Sequence, residues 1–253
     1  MLTVGIDLSA SERNTALAEL EWSEGRARVG EPSLGLADPE LLELLTYAEW
    51  TGIDAPFGWP ESMVAALHSY SLEGSWPAPE KRAFRYRRAD LWVHDRVLSE
   101  VEEHLWPLSP STDRISLAAW RLAGLREAAA SRSHVRFDRA GGDGVVEVYP
   151  AAALLLWGLP RAGYKAEAEA REELLASLEA AAPWLVWEPG AREACLESDD
   201  ALDAVLCALI ARAAALGLTE RPPAAERELA RVEGWIHLPH KGGLGELVGD
   251  DRA

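Results

Sequence analysis

One tripeptide occurs twice in this chain, as Gly5-Ile6-Asp7 and as Gly52-Ile53-Asp54, and the pair constrains the fold more than any other feature. Each copy closes a short apolar run, which predicts one β-strand over residues 3–8 and another over residues 49–55. Side chains alternate between the faces of a strand, so the glycine and the aspartate of each copy share one face. Burying an unpaired carboxylate is costly. The repeat therefore predicts two strands that hold two acids close together.

Composition places the chain among globular α/β proteins. Its 253 residues are 48% hydrophobic, which is enough for a large core, and helix-like and strand-like segments alternate. The formal net charge is −17. That charge argues against a non-specific nucleic-acid binder, because the affinity of such proteins comes largely from Lys and Arg on phosphates.

The chain shows no sign of export or of a membrane span. No signal peptide precedes the first predicted strand, and the longest apolar stretch, 201–218, contains Asp203 and Arg212. Cys195 and Cys207 have no metal-site spacing, and two cysteines do not make a disulfide framework. We therefore expect a cytoplasmic protein without a membrane partner.

The order of predicted elements indicates a mixed sheet flanked by helices. Strands are predicted at 3–8, 15–22, 27–34, 49–55 and 145–150, and helices at 38–47, 164–182 and 199–216. The segment Ser23-Glu24-Gly25-Arg26 has the pattern of a hairpin turn, and Asp38 is the expected cap of the first helix. Residues 61–143 combine helical and loop patterns, and we predict that they form an insertion within one domain spanning 1–253.

Three predicted strands carry an acid that packing does not explain: Asp7, Asp54 and Glu147. The two aspartates are a matched pair, and Glu147 lies among valines in the strand predicted at 145–150. One alternative stays open for Glu147, because an ion pair with a nearby arginine would also explain a carboxylate there.

The helix predicted at 199–216 supplies two further acids. Its apolar residues recur at steps of three and four, which indicates an amphipathic helix. Asp203 borders the apolar stripe and should face the sheet, whereas Ser198 or Asp199 is the expected N-cap. Asp200 is a neighbour of Asp203 on the helix surface, although a first-turn acid can also serve the helix dipole.

Carboxylates that converge on one point repel each other unless a cation lies between them. Oxygen ligands of this kind suit Mg²⁺ or Mn²⁺, so we predict a metal held by Asp7, Asp54 and Asp203. With Glu147 and Asp200 they form the predicted catalytic set. Two such ions form the usual clamp for phosphoryl transfer, which makes phosphodiester hydrolysis the predicted reaction. The six histidines show no paired spacing that would indicate zinc.

A basic tract at 81–88 stands out in this acidic protein, with five cations in eight residues. Phe84 and Tyr86 are interleaved with the cations, an arrangement that favours binding of phosphates together with stacking of bases. We predict that Arg85 and Arg88 contact a nucleic-acid substrate. The alternative is a solvated helix whose arginines neutralise the protein's own carboxylates.

Motifs spread over nearly the whole chain resemble those of a known family. They are Gly5-Ile6-Asp7, 52–60, Arg88-Ala89-Asp90, 146–150, Tyr164-Lys165, 200–208 and Glu233-Gly234-Trp235-Ile236. The chain resembles the family called domain of unknown function 429, whose members are predicted RNase H-like nucleases. The resemblance implies an RNase H-like fold, and we predict that Lys165 joins the two arginines in binding substrate.

The acids also resemble those of Holliday-junction resolvases in their layout. Such enzymes carry one acid on the first strand, one on a middle strand and two on the final helix. Asp7, Asp54, Asp200 and Asp203 fit those places, and Glu147 has no clear counterpart there.

Two hypotheses from other classes stay open. A sugar-kinase or actin-like phosphotransferase shares the core fold, but it needs glycine-rich phosphate loops, and no glycine follows Asp7 within 8–11 or Asp54 within 55–57. A non-catalytic module that binds nucleic acid or protein would keep the acids for structure.

Overall fold

The computed structural model describes residues 1–77, 80–133 and 137–249. Its strands are β1 (Leu2–Asp7), β2 (Ala16–Ser23), β3 (Arg26–Val29), β4 (Ser33–Leu34), β5 (Trp50–Asp54), β6 (Val145–Glu147) and β7 (Leu185–Trp187). Its α-helices are α1 (Asp38–Tyr47), α2 (Glu61–Glu73), α3 (Lys81–Arg85), α4 (Arg88–Val101), α5 (Ser116–Ser133), α6 (Pro150–Trp157), α7 (Ala168–Ala181), α8 (Ala191–Glu197), α9 (Asp199–Ala215) and α10 (Arg227–Glu233). The α/β class predicted from the sequence is confirmed.

The strands form one mixed sheet in the order β6-β5-β1-β2-β3-β7, and β4 also pairs with β2. β1, β5 and β6 are parallel neighbours, and β7 runs parallel to β3. β2 is antiparallel to β1, β3 and β4. The predicted mixed sheet flanked by helices is thereby confirmed. Because β1 and β5 run side by side in the same direction, both end at the same edge of the sheet.

The hairpin between β2 and β3 has the predicted turn. Ser23 pairs with Arg26, and Glu24 and Gly25 between them have φ values of 50° and 72°. A two-residue hairpin of this kind needs two left-handed residues, and glycine adopts that conformation without strain.

The strand predicted at 27–34 is wrong as one continuous element, because it divides into β3 and β4. The ladder stops after Gly30, whose N–H donates to the carbonyl of Glu19 at 3.1 Å. Pro32 follows and has no N–H to donate. The chain resumes as β4, which pairs with the other end of β2 at Ala16 and Leu17.

Further boundaries differ from the sequence prediction. The strand predicted at 145–150 ends at Glu147, because Pro150 begins α6, a position that proline favours. The helix predicted at 164–182 begins at Ala168, after a stretch of turns. The helices α6, α8 and α10 and the strand β7 were not predicted.

The prediction of Asp38 as a helix cap is wrong. Ala37 precedes the helix, and the carboxylate of Glu40 accepts a hydrogen bond from the Ala37 N–H at 2.8 Å. Asp38 instead lies inside the helix, where its carboxylate accepts from Nε of Arg121 on α5 at 2.7 Å.

The two faces of the sheet carry separate hydrophobic clusters. Val4, Ile6 and Leu8 of the β1 region pack on one face with side chains of α1 and α5. On the opposite face, Ala18 and Leu20 of β2 pack against α9. Gly5 and Asp7 lie on this α9 face, as the alternation of the strand requires.

The helix α9 is buried on all sides, which differs from the amphipathic helix predicted for this segment. Every residue from Ala201 to Ala214 is buried, since the sheet covers one side and α6, α8 and the 243–248 segment cover others. No helix within the described ranges combines the length and the apolar character that crossing a membrane requires.

Two glycines allow α9 to lie directly on the sheet. A Cβ atom at Gly5 would lie 1.9 Å from the carbonyl oxygen of Ala204, and one at Gly52 would lie 2.4 Å from that of Cys207. In both cases the obstacle is backbone, which cannot turn aside as a flexible side chain can. The two repeated tripeptides therefore set the distance between the helix and the two acid-bearing strands.

We expect Gly5→Ala to destabilise the protein by about 3 kcal/mol or more, because overpacking against backbone forces α9 away from the sheet. Urea unfolding monitored by circular dichroism would measure the change. The matched control is Gly124→Ala in α5, where an added Cβ meets no atom within 4 Å. That substitution should be neutral or should stabilise by roughly 0.5–1 kcal/mol. Equal effects of the two substitutions would contradict the close approach of α9.

Candidate active site

Asp7 and Asp54 are the last residues of two adjacent parallel strands, and they are paired in register. Both carboxylates face α9. Burial, followed by repulsion from Asp203 and Asp54, raises the pKa of Asp7 well above its ordinary value. Burial, with repulsion from Asp203, raises the pKa of Asp54 to about 7. The structure thus brings together the acids of the two repeated tripeptides.

Asp203 completes this cluster from α9. Ser198 is the N-cap of the helix, as predicted, and its hydroxyl accepts a hydrogen bond from the Ala201 N–H at 3.2 Å. The helix then places Asp203, which is fully buried, on its sheet side. The Tyr164 hydroxyl donates to Oδ1 of Asp203 at 2.8 Å, and Nζ of Lys165 lies 2.7 Å from Oδ2. Both oxygens of Asp203 therefore have a fixed neighbour.

The charges around Asp203 shift its pKa in opposite directions. Burial raises the pKa of Asp203, and the nearby ammonium of Lys165 opposes that rise. Burial would lower the pKa of Lys165, but attraction to Asp203 and Asp54 outweighs it and raises that pKa. One lysine thus faces three acids, of which Asp203 is fully buried and Asp7 and Asp54 are partly buried.

Asp200 lies at the rim of the same cluster. Burial raises the pKa of Asp200, repulsion from Asp199 adds to the rise, and a hydrogen bond to Asp7 opposes it.

Glu147 forms a buried ion pair with an arginine, which is the alternative left open for it in the sequence. The guanidinium of Arg87 donates to both oxygens of Glu147, at 2.6 and 2.8 Å. It also donates to both oxygens of Asp90, at 2.8 and 3.2 Å. Two carboxylates thus share one cation, in a bidentate geometry that makes such hydrogen bonds strong.

The backbone completes this network. The Phe57 N–H donates to Glu147 at 2.9 Å, and Arg87 donates to the Glu233 carbonyl at 3.2 Å. Gly234 leaves room for the contact, since a Cβ there would lie 2.8 Å from a Glu147 oxygen. Burial would lower the pKa of Arg87, but Asp90 and Glu147 together raise it. The network ties α4 to β6 and to the end of α10.

A cleft of about 690 Å³ opens over these groups. Its acidic lining includes Asp7, Asp54, Asp90, Glu147, Asp199 and Asp200, and its basic lining includes Arg87, Arg114, Arg161 and Lys165. The part of the chain between α4 and α5, with residues such as Pro107 and Leu108, supplies an apolar wall. The five predicted acids therefore lie in or directly beneath one cleft.

The two arginines predicted to bind substrate lie outside the cleft lining. Arg88 places Nε 2.8 Å from Glu226, and Arg85 lies 3.6 Å from Asp113. Both side chains are about half exposed and remain accessible to a ligand on the outer surface. Their role in substrate binding stays a prediction. Of the three cations predicted to bind substrate, Lys165 lines the cleft.

The donor atoms in the cleft suit a hard cation. Every acid of the cluster offers carboxylate oxygen, and the set contains neither imidazole nor thiolate, which favours Mg²⁺ or Mn²⁺ over zinc. Within residues 1–77, 80–133 and 137–249, no three His, Cys, Asp or Glu side chains form a preformed metal cluster. The candidate ligands Asp7, Asp54 and Asp203 therefore match a divalent cation in donor type and in charge, and not through a preformed coordination geometry.

Sequence reasoning missed four charged residues of the cleft. Asp90 belongs to the motif Arg88-Ala89-Asp90, and Arg87 directly precedes it. The available signal was an acid three residues after the N-cap position of α4, which is the spacing of a capping box. Arg114 and Arg161 carry no motif, and only the fold brings them to the acids.

A family model described as "Protein of unknown function (DUF429)" matches residues 5–228 of this chain. The match includes all five predicted acids, Asp7, Asp54, Glu147, Asp200 and Asp203. No curated protein and no solved structure matches the chain.

Asp54→Asn should gain stability relative to the wild type as pH rises from 4 to 8 in metal-free buffer. The folded-state pKa of Asp54 is about 7 and the unfolded reference is 3.8. The folded wild type therefore binds the extra proton in this window, and its stability falls as that proton is lost. Urea unfolding with EDTA at pH 5 and pH 8 should show a difference that grows by roughly 3 kcal/mol. A difference independent of pH would contradict the buried cluster.

Arg87→Met should destabilise the protein by about 3–5 kcal/mol, because two buried carboxylates lose their cation. Arg88→Met, one residue away, is the matched control and should cost less than about 1 kcal/mol, since its ion pair is exposed. Thermal and urea unfolding would measure both. Similar costs for the two variants would show that the Arg87 network does not hold the fold together.

Proposed function

We propose that this chain, which belongs to the DUF429 family of proteins of unknown function, is a metal-dependent nuclease that hydrolyses phosphodiester bonds in its acidic cleft. One observation carries the proposal. Asp7 and Asp54, both partly buried, lie against the fully buried Asp203, whose charge makes ionisation of the two strand acids less favourable. A folded protein keeps such a cluster at a cost in stability, which is typical of functional sites.

The topology supports an RNase H-like assignment. An antiparallel series β1-β2-β3 is extended beyond β1 by the parallel strands β5 and β6. The acids lie on β1, on β5 and on the late helix α9, which resembles the acid layout of Holliday-junction resolvases. Their convergence at one sheet edge fits a single reaction centre.

Charge supports a divalent cation at this centre. Asp7, Asp54 and Asp203 together carry up to three negative charges, and Lys165 supplies one positive charge. A bound Mg²⁺ or Mn²⁺ would polarise a phosphate and lower the pKa of an attacking water. The three aspartates would hold it through carboxylate oxygens.

The remaining groups orient the site. Tyr164 and Lys165 hold the two oxygens of Asp203 and so fix the plane of its carboxylate. The Lys165 side chain is 56% exposed, so its ammonium can reach a substrate phosphate from the cleft. Arg87 neutralises Glu147, which leaves that carboxylate in a supporting position beside Asp54.

One observation favours a second candidate, a non-catalytic binding protein. Nζ of Lys165 lies 2.7 Å from Asp203, so the lysine itself can serve as the cation that this acid requires. In that case the acids would stabilise a binding surface and would need no metal.

EDTA-treated wild-type protein should gain thermal stability and cleave a labelled oligonucleotide when millimolar Mn²⁺ or Mg²⁺ is added. A cation at a hundred times its Kd stabilises the native state by about 2.7 kcal/mol. Asp7→Asn should abolish most of both responses, while the metal-free variant is as stable as the wild type or more so. Scanning calorimetry and gel assays would measure them.

The control is Glu21→Gln on the exposed side of β2, which should keep both responses. Wild-type protein that shows neither a thermal shift nor cleavage with either metal would favour the binding protein.

A further inference from the structure

Two arginines line the cleft without a carboxylate partner. No described residue offers an acceptor to Nε of Arg161, although that atom is buried. Arg114 is exposed on the cleft wall and forms no ion pair within the described part of the chain. The other cations of the cleft are engaged, Arg87 with Asp90 and Glu147, and Lys165 with Asp203. Arg114 and Arg161 are thus the cleft cations that have no carboxylate partner among the described residues and can be given over wholly to an anionic ligand.

Although its Nε is buried, the Arg161 side chain is partly exposed and lines the cleft, so the rest of its guanidinium can donate to a bound anion. The guanidinium group has a planar fork that matches the oxygens of a phosphate. Because Arg161 and Arg114 line the same cleft as Asp7 and Asp54, a phosphate that they hold belongs to a chain passing over the acids.

The wall that carries Arg114 is otherwise apolar. Pro107, Leu108, Ile115 and Leu117 line it, and Leu108 and Leu117 are 45% and 50% exposed. Exposed leucines beside an arginine suit a ligand with a flat apolar part next to a phosphate. A nucleotide has that combination, since every base has an apolar face.

The size of the cleft favours a single-stranded nucleic acid over a duplex. About 690 Å³ lies within the range of roughly 300–1,000 Å³ that is usual for small-molecule sites. One or two nucleotides of a flexible strand fit such a space, whereas a rigid duplex would lie across its mouth and leave the buried acids out of reach.

We propose that Arg114 and Arg161 hold a phosphate of a single-stranded nucleic-acid chain while Leu108 and Leu117 contact its base. This assignment rests on the proposed function, because it takes the aspartate cluster as the reacting centre. It names arginines of the cleft, and not those of the basic tract, as the main phosphate contacts.

The test measures binding of a short fluorescein-labelled oligothymidylate by anisotropy in EDTA, where cleavage cannot occur. Arg114→Gln and Arg161→Gln should each weaken binding about tenfold and lower the slope of log K against log salt by about 0.7. Arg28→Gln, on β3 far from the cleft, is the matched control and should change neither quantity. Lysine at either cleft position should restore part of the affinity, and melting curves would verify folding.

Several results would overturn the assignment. One is a failure of the wild type to bind the oligomer, and another is unchanged affinity of both cleft variants for it. A larger loss of affinity with Arg85→Gln and Arg88→Gln than with the two cleft variants would also overturn it. Thymidine monophosphate that competes as well as the oligomer would indicate a small nucleotide, and tighter binding of duplex would exclude the single strand. Binding in EDTA without cleavage in Mn²⁺ would instead reject the nuclease and leave the phosphate site standing.

Discussion

The contact of α9 with the backbone of β1 and β5 is the constraint on which the rest of the structure depends. Gly5 and Gly52 allow it, since a Cβ at either position would overlap a carbonyl oxygen of the helix. Each glycine lies two residues before an acid on the same strand face, so the positions that admit the helix also direct Asp7 and Asp54 towards it. The repeated tripeptide therefore does two things at once. It fixes the depth of the central helix, and it brings Asp203 to the two strand acids.

Carboxylates at this sheet edge have two different environments. Glu147 and Asp90 receive a buried arginine that donates to all four of their oxygens. Asp7 and Asp54 have no such arginine among the described residues, and burial with repulsion from Asp203 raises the pKa of both. The first pair of acids is thus neutralised within the protein, whereas the aspartate cluster is compensated only in part, by Lys165 at Asp203.

The local sequence pattern was sufficient to predict the acid-bearing strands and the helix α9. Apolar residues that recur every two positions indicate a strand, and those that recur every three or four positions indicate a helix. The pattern was insufficient for the ends of elements near a proline: the strand predicted at 27–34 breaks before Pro32, and the strand predicted at 145–150 ends at Glu147, before Pro150 begins α6. The acids of the cluster were predictable as carboxylates with no packing use. Arg87 was not, because its burial depends on two carboxylates, one of which is sixty positions away. Arg114 and Arg161 left no pattern at all, since only the folded chain brings them into the cleft.

The segment between β5 and β6 gives the acids their surroundings. It contributes Arg114, Leu108 and Leu117 to the cleft wall, and it contributes Arg87, which is bonded to Glu147 on β6. The start of α4 is therefore anchored to the sheet edge by a buried ion pair, one position in register from Asp54. Because breaking that pair would cost several kcal/mol, the network holds this part of the segment against the edge at which Asp7 and Asp54 end.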